Sequence, residues 1–414
     1  ARARRGSRCG GGPGNPSSVQ GVRTPVRRTR EPDPSGAAVE PMLTSPEPTV
    51  TIRPPALFAT LLAALAAAPV NAQQPHDQWI DSLANSLVGE ATPGLALAVI
   101  HDGRVLHRGA YGVASAESGD AVTVGTPFYI ASTAKMITAA AVLSLVDDGR
   151  LSLDDPIGRH LGDLVPTYAR DVTVRQLLDH TSGLVDHYDV AGEERAYTNA
   201  DVLAILEQAD SLRFAPGTRA GYSNSGYVLL SLLVERVAGE PFDAYARRRF
   251  LDPFGMRDAV VAVGGPPERP RAIGHRPTGA GGFEPWDYAS STTGAGGVYA
   301  SLSDMERWHE ALRGGRVVSD SLLALASRPP ELPGGRLTPY GMGWLAEYAA
   351  RGPLADRWYV FAFGSLRGFR ALYQWYPADD LAVIWLANSA SEEVLETLRA
   401  IPKYVLAGER GGEP

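Results

Sequence analysis

The chain is nearly without lysine. Lys135 and Lys403 are its only lysines, so 37 of the 39 basic residues are arginine. Cysteine is scarcer still, with Cys9 alone among 414 residues. A single cysteine excludes an internal disulfide and a cysteine-built zinc site. Base is also in deficit, 39 Lys and Arg against 46 Asp and Glu. The one extended apolar run, "ALFATLLAALAAA" at 56–68, falls short of the ~20 residues that a helix needs to cross a bilayer. What remains is globular in composition, 44% hydrophobic and 21% charged, enough for a sizeable core.

The first forty residues differ from the rest. They are rich in Gly, Pro, Ser and Arg, and such a composition cannot bury enough apolar surface to order itself. Met42 follows, then Arg53 as a weak positive region, the apolar run, and small residues at Val70 and Ala72. This is the layout of a secretion signal cut near Ala72. Residues 1–41 are expected to be an upstream segment absent from the mature protein, and 42–72 its signal peptide. The mature chain would then be periplasmic or secreted, without a stable membrane anchor and without Cys9. Taking away residues 1–72 removes nine Arg and four acids, leaving 30 bases against 42 acids and a net charge of −12. So acidic a domain is a poor partner for nucleic acid or an anionic membrane.

Along the mature chain, residues 94–114 alternate apolar and polar about Asp102-Gly103, a strong hairpin signal. "STAKMITAAAVLSLVDDG" (132–149) reads as a helix that begins at or beside Ser132 and closes at Gly149. From 171 to 250 the pattern is mainly helical, broken by "HTSGL" (180–184) and "APGTRAGYSNSG" (215–226). A helix is expected near 303–313. Strands return in "RWYVFAF", "GFRALYQWYP" and "LAVIWLAN". Ser389 with Glu392 reads as a capping box for a last helix, which Pro402 would end, leaving 406–414 as a flexible tail. Strands at both ends and helices between predict an α/β (α+β) domain over 73–405. Its antiparallel sheet is built from both chain ends and flanked by helices, and a mainly helical subdomain is inserted.

The scarcity of lysine gives Lys135 its interest. Ser132 and Lys135 stand three apart, so on one helix their side chains share a face. A neutral amine can take the serine proton, which arginine cannot do at any usable pH. An ordinary lysine is neutral in only about one molecule in two thousand at pH 7, and lowering its pKa by ~3 units takes ~4 kcal/mol of environment. Burial or a polar partner must supply that. A second cluster, "AGYSNSGYVLL", places Tyr222, Ser223 and Asn224 in a loop entering a helix.

S-x-x-K followed by Y-x-N resembles the serine β-lactamase and penicillin-recognising family, nearest the branch of class C β-lactamases, D-alanyl-D-alanine carboxypeptidases and related esterases. "PGLALAVIHDGRV", "VTVRQLLDHTSGL", "LDPFGMRD" and "GAGGVYASLSDMERW" carry the likeness over roughly 76–405. The resemblance implies Ser132 as nucleophile, with Lys135 and Tyr222 moving protons and Asn224 holding the lysine and a substrate carbonyl. Either Lys135 or Tyr222 can be the acylation base. It also implies the backbone N–H groups of Ser132 and Ser365, the residue after Gly364, as the oxyanion hole. The third family element departs: where Lys or His, a small residue and Gly are usual, this chain has Ala362, Phe363 and Gly364. The cation that grips a substrate carboxylate is gone, with Arg367 or Arg370 as compensation from the same turn. Phe363 is expected to crowd the substrate's place.

The resulting expectation is a secreted serine hydrolase, esterase-like, acting on a small-molecule or peptide ester or amide, with no cofactor and no metal. The alternatives are a β-lactamase or carboxypeptidase proper, and a catalytically weak module that binds cell-wall peptides. "HTSGLVDH" invites a metal reading, but no third ligand follows at suitable spacing, and His180 is read as structuring its loop. "TGAGG" (293–297) lacks the βαβ context of a dinucleotide site.

Overall fold

The computed structural model describes residues 75–408 apart from 193–194, 280, 288–290 and 350–353. The segments 1–41 and 42–72 therefore lie outside the described residues. A six-stranded antiparallel sheet runs in the order Leu345–Tyr348, Trp358–Leu366, Phe369–Tyr376, Leu381–Ala387, Leu95–His101, Arg104–Tyr111. Both ends of the domain thus meet in one sheet, where Leu95–His101 pairs with Leu381–Ala387. The hairpin turns at Asp102 and Gly103 with φ of 50° and 68°, the left-handed pair that a two-residue turn between twisted strands requires.

The paired strands Leu95–His101 and Leu381–Ala387 are buried along almost their whole length, and their alternation sorts side chains into two cores. Ala96, Ala98, Ala382 and Ile384 face the larger cluster, which includes the helix Lys135–Asp147. Leu97, Val99, Val383 and Trp385 face a second cluster. There the helices Pro75–Leu87, Glu392–Leu398 and Ala400–Gly408 contribute Ile80, Leu398 and Ile401. Helices therefore flank the sheet on both sides, as expected.

Between 153 and 250 the chain is mostly helical, with Val174–Leu178 and Asn199–Gln208 started by capping boxes at Thr173/Gln176 and Thr198/Asp201. The break at 180–184 falls between helices, but the one expected at 215–226 ends at Ser223, because Asn224–Gly226 open the helix Asn224–Ala238. The helix Lys135–Asp147 is not amphipathic. Every residue from Lys135 to Leu145 is buried, so it runs through the core rather than along it.

The C-terminus differs from expectation. The helix Glu392–Leu398 takes Ser391 as its N-cap, and Ser389 Oγ accepts the Ser391 N–H instead of capping the helix. Pro402 does not end a helix: it sits in the first turn of Ala400–Gly408, where its missing N–H has no partner to lose. Residues 406–408, expected in a tail, are helical; 409–414 lie outside the described residues.

Candidate active site

A short strand, Phe128–Tyr129, delivers the chain into a 3₁₀ turn, Ala131–Ala134, and directly into the helix from Lys135. Ala131 enters that turn at φ 46°, a left-handed conformation that costs a non-glycine residue energy and marks a constrained corner. The corner is held from above by Gly364. A Cβ on Gly364 would lie 2.2 Å from the Ile130 carbonyl oxygen and 2.8 Å from Thr133 Oγ1, so only glycine lets this strand cross so closely.

Ser132 and Lys135 meet as their spacing requires, with Nζ 3.3 Å from Oγ. Lys135 is only 3% exposed. Its Nζ donates to Asn224 Oδ1 at 2.8 Å and to the Ala295 carbonyl at 2.7 Å, and stands 4.9 Å from the centre of the Tyr222 ring. Burial pulls its pKa from the ordinary lysine value down to about 7, against an opposing pull from Asp186. Tyr222 donates its hydroxyl to Ser132 Oγ at 2.8 Å. Although 37% of its surface meets solvent, desolvation dominates and holds its phenol well above the usual range, only partly offset by the Ser132 bond. The phenol is therefore protonated at neutral pH.

This geometry bears on the choice between two bases. A neutral lysine has two N–H groups and one lone pair. Asn224 Oδ1 and the Ala295 carbonyl take the two N–H groups, which leaves the lone pair for Ser132. Tyr222, protonated, is then a donor to the same oxygen.

Asn224 is itself held by a residue that sequence reasoning missed. Asp186 Oδ2 accepts both the backbone N–H of Asn224, at 2.6 Å, and its Nδ2, at 2.9 Å. With Nδ2 so engaged, Oδ1 turns to the lysine. Asp186 lies within "HTSGLVDH", so the useful acid of that motif was overshadowed by its histidines. The Ala295 carbonyl was equally hidden, because backbone groups leave no side-chain signature. It lies in "TGAGG", a loop held against the nucleophile helix by the Thr138 Oγ1–Gly294 carbonyl bond of 2.8 Å.

His180 structures its loop. Its Nδ1 accepts the Ser223 N–H at 3.2 Å and its carbonyl accepts the Gly221 N–H at 2.9 Å, bracketing Tyr222. Burial, with Lys135 as a lesser cause, lowers its pKa to about 3. Among the described residues no group of three potential metal ligands is found.

Ser132, Tyr222, Asn224 and Ser365 line one cavity of about 170 Å³, with Tyr129, Tyr188, Thr292 and Leu366 among its walls. Among the described residues, none that lines it is charged. Arg367 stands in the turn after Leu366 at φ 50°, its guanidinium 5.4 Å from the centre of the Trp286 ring, and is not part of the lining. Arg370 donates to the carbonyls of Arg367, Phe369 and Ala390 and to Glu392. Neither guanidinium lines this cavity. Phe363 also departs from expectation. Strand alternation puts Ala362 in the inner core with the nucleophile helix and Phe363 on the opposite face, 6.3 Å from Trp385. It does not crowd the cleft.

A serine held between a buried lysine and a tyrosine, in a turn beneath an antiparallel sheet with helices on both faces, is the arrangement of a serine hydrolase. The Beta-lactamase family model matches residues 76–404, and the chain belongs to that family. It is 27% identical to the putative penicillin-binding protein PbpX of Bacillus subtilis, over 70% of this chain and 69% of that one. It is 30% identical to a D-aminopeptidase of Cereibacter sphaeroides, over 75% of this chain but only 59% of the relative's length. In fold it is similar to the D-amino acid amidase of Ochrobactrum anthropi, with a TM-score of 0.68 at 23% identity, covering 81% of this chain and all of that one.

Proposed function

We propose that the protein hydrolyses uncharged esters and amides through an acyl-enzyme on Ser132. Neutral Lys135 takes the Ser132 proton as Oγ attacks the acyl carbon. The N–H groups of Ser132 and Ser365 receive the developing oxyanion. Tyr222 passes a proton to the leaving group and regains one from protonated Lys135, so both groups end acylation as they began. Water then attacks the acyl carbon, neutral Lys135 takes its proton, and that proton passes to Ser132 Oγ as the acyl–oxygen bond breaks. Short esters are the favoured substrates. Uncharged amides stand second, favoured by the likeness to a D-aminopeptidase. A lactamase or carboxypeptidase must grip a carboxylate, and a weak binding module would have no use for a lysine desolvated beside a serine.

The carrying observation is the uncharged lining of the cleft, and a matched ester pair, with and without a carboxylate, tests it. The wild type is expected to turn over the neutral member at least as well. Ala362→His, on the inner face of the strand, is expected to shift kcat/KM toward the carboxylated member by up to about a hundredfold, the worth of one charge-assisted contact. Phe363 needs no change, because it points away. A wild-type preference for the carboxylated ester refutes the uncharged-substrate reading and restores the lactamase or peptidase reading.

The lysine supplies a pH signature. Protonated Lys135 cannot accept the serine proton, so kcat/KM is expected to rise with unit slope as pH climbs through about 7 and to level off above it. A profile that falls across that range contradicts a lysine base.

Export is part of the proposal, supported by the apolar run at 56–68 and the small residues Val70 and Ala72. Protein recovered from outside the cytoplasm is expected to begin near Gln73. A start before Met42 contradicts processing.

A further inference from the structure

The strand that crosses the nucleophile has a second face, and the chain's other lysine stands beside it. Tyr359, Phe361 and Phe363 project from Trp358–Leu366 away from Ser132, toward the second core. With Leu372 and Tyr376 they floor a cavity of about 490 Å³, a volume typical of small-ligand sites. The aromatic rings stack in sequence. Tyr359 lies 5.6 Å from Phe361 and 5.0 Å from Tyr376, both nearly parallel. One wall is the line Leu395, Arg399 and Lys403, each one turn beyond the last along consecutive helices.

The polar groups around this floor are unequal. The Glu347 carboxylate accepts the Tyr359 hydroxyl at 2.9 Å, on the strand Leu345–Tyr348 rather than on the helices that carry the cations. Arg399 meets Glu396 at 2.9 Å, but 60% and 67% of their side chains are exposed, so the arginine is easily redirected. Lys403 is exposed and stands at the same wall. The site thus joins an apolar, aromatic floor to two cations at one side. Phe363 is part of that floor.

We propose that this cavity binds a free amphiphilic carboxylate, its aliphatic chain on the aromatic floor and its head group between Arg399 and Lys403. Such a ligand places apolar surface on apolar surface and offers its carboxylate to the two cations. The site lies on the reverse face of the strand that carries Gly364 and Ser365, so it is separate from the catalytic cleft and independent of the reading given for it.

The test is calorimetric titration of the full protein with sodium decanoate at pH 8, after Ser132 has been blocked with a phosphonate. One saturable site is expected. Butyrate and decanol should each bind at least tenfold more weakly, the first for want of chain and the second for want of charge. Lys403→Glu should weaken decanoate at least tenfold while leaving turnover of a neutral ester by unblocked enzyme unchanged. Binding lost on phosphonylation places the ligand in the catalytic cleft and overturns the proposal. So does decanoate binding indifferent to Lys403→Glu. Retention on phosphatidylglycerol vesicles without binding of free decanoate overturns it in favour of a membrane surface.

Discussion

Ser132→Ala is expected to lose all covalent labelling by a phosphonate probe while remaining folded. The folding half follows from what Ser132 does not do. It caps no helix with its side chain, and among the described residues its Oγ is hydrogen-bonded to Lys135 and Tyr222, at 3.3 Å and 2.8 Å. Removing it leaves the Ala131 corner and the Gly364 crossing intact, because both are backbone features. The chemical half follows from geometry. Among serines, only Ser132 has a lysine one turn away, and no cysteine occurs in the described residues to take its place. Intact mass measures the label, and circular dichroism the fold. An adduct that persists in the alanine variant places the nucleophile elsewhere and sinks the acyl-enzyme at Ser132.

How much of this was legible in the sequence depends on what kind of atom carries each feature. Strand alternation and the Asp102-Gly103 turn are local, so the sheet joining both chain ends was readable from them. Ser132, Lys135, Tyr222 and Asn224 announce themselves by side-chain type and spacing, and the fold brings all four together. Asp186 did not announce itself, since its task depends on packing against a helix 38 residues later. The Ala295 carbonyl had no side chain to read. Phe363 was misplaced because a motif gives an order of residues but not the face each one takes. Alternation along Trp358–Leu366 decides that, and counting outward from Gly364 would have found it. Arg370 donates to the carbonyls of Arg367, Phe369 and Ala390, partners that no spacing of side chains announces. At the C-terminus a Ser and a Glu three apart suggested a cap, yet the helix began at the later serine, a shift of the size common at helix ends.

Lys135→Arg is expected to cost at least ~10³-fold in kcat/KM, the scale of disabling a proton-transfer group. The substitution keeps the charge and removes the ability to be neutral. In the wild type, burial depresses the lysine to about 7, so the neutral amine with its free lone pair is within reach at neutral pH. Arginine in the same place stays charged, and its donors face Ser132 with nothing to accept the serine proton. Its size matters too, since the amine is already fitted between Asn224 Oδ1 and the Ala295 carbonyl. A loss of activity by itself does not separate bad chemistry from bad packing. Lys135→Ala separates them, because it vacates space that a small primary amine added to the buffer can enter. Methylamine is expected to restore part of the acylation rate, increasingly as pH rises toward the amine's own pKa, while guanidinium restores none. The structural partners stay the same in both trials, so the difference isolates the removable proton. If Lys135→Arg keeps a third of wild-type activity, or if guanidinium rescues as well as methylamine, then the lysine acts only through its charge. Tyr222 would then have to be the base, and as a phenol held far above neutrality it would show itself by a pH profile rising in the alkaline range instead of near 7.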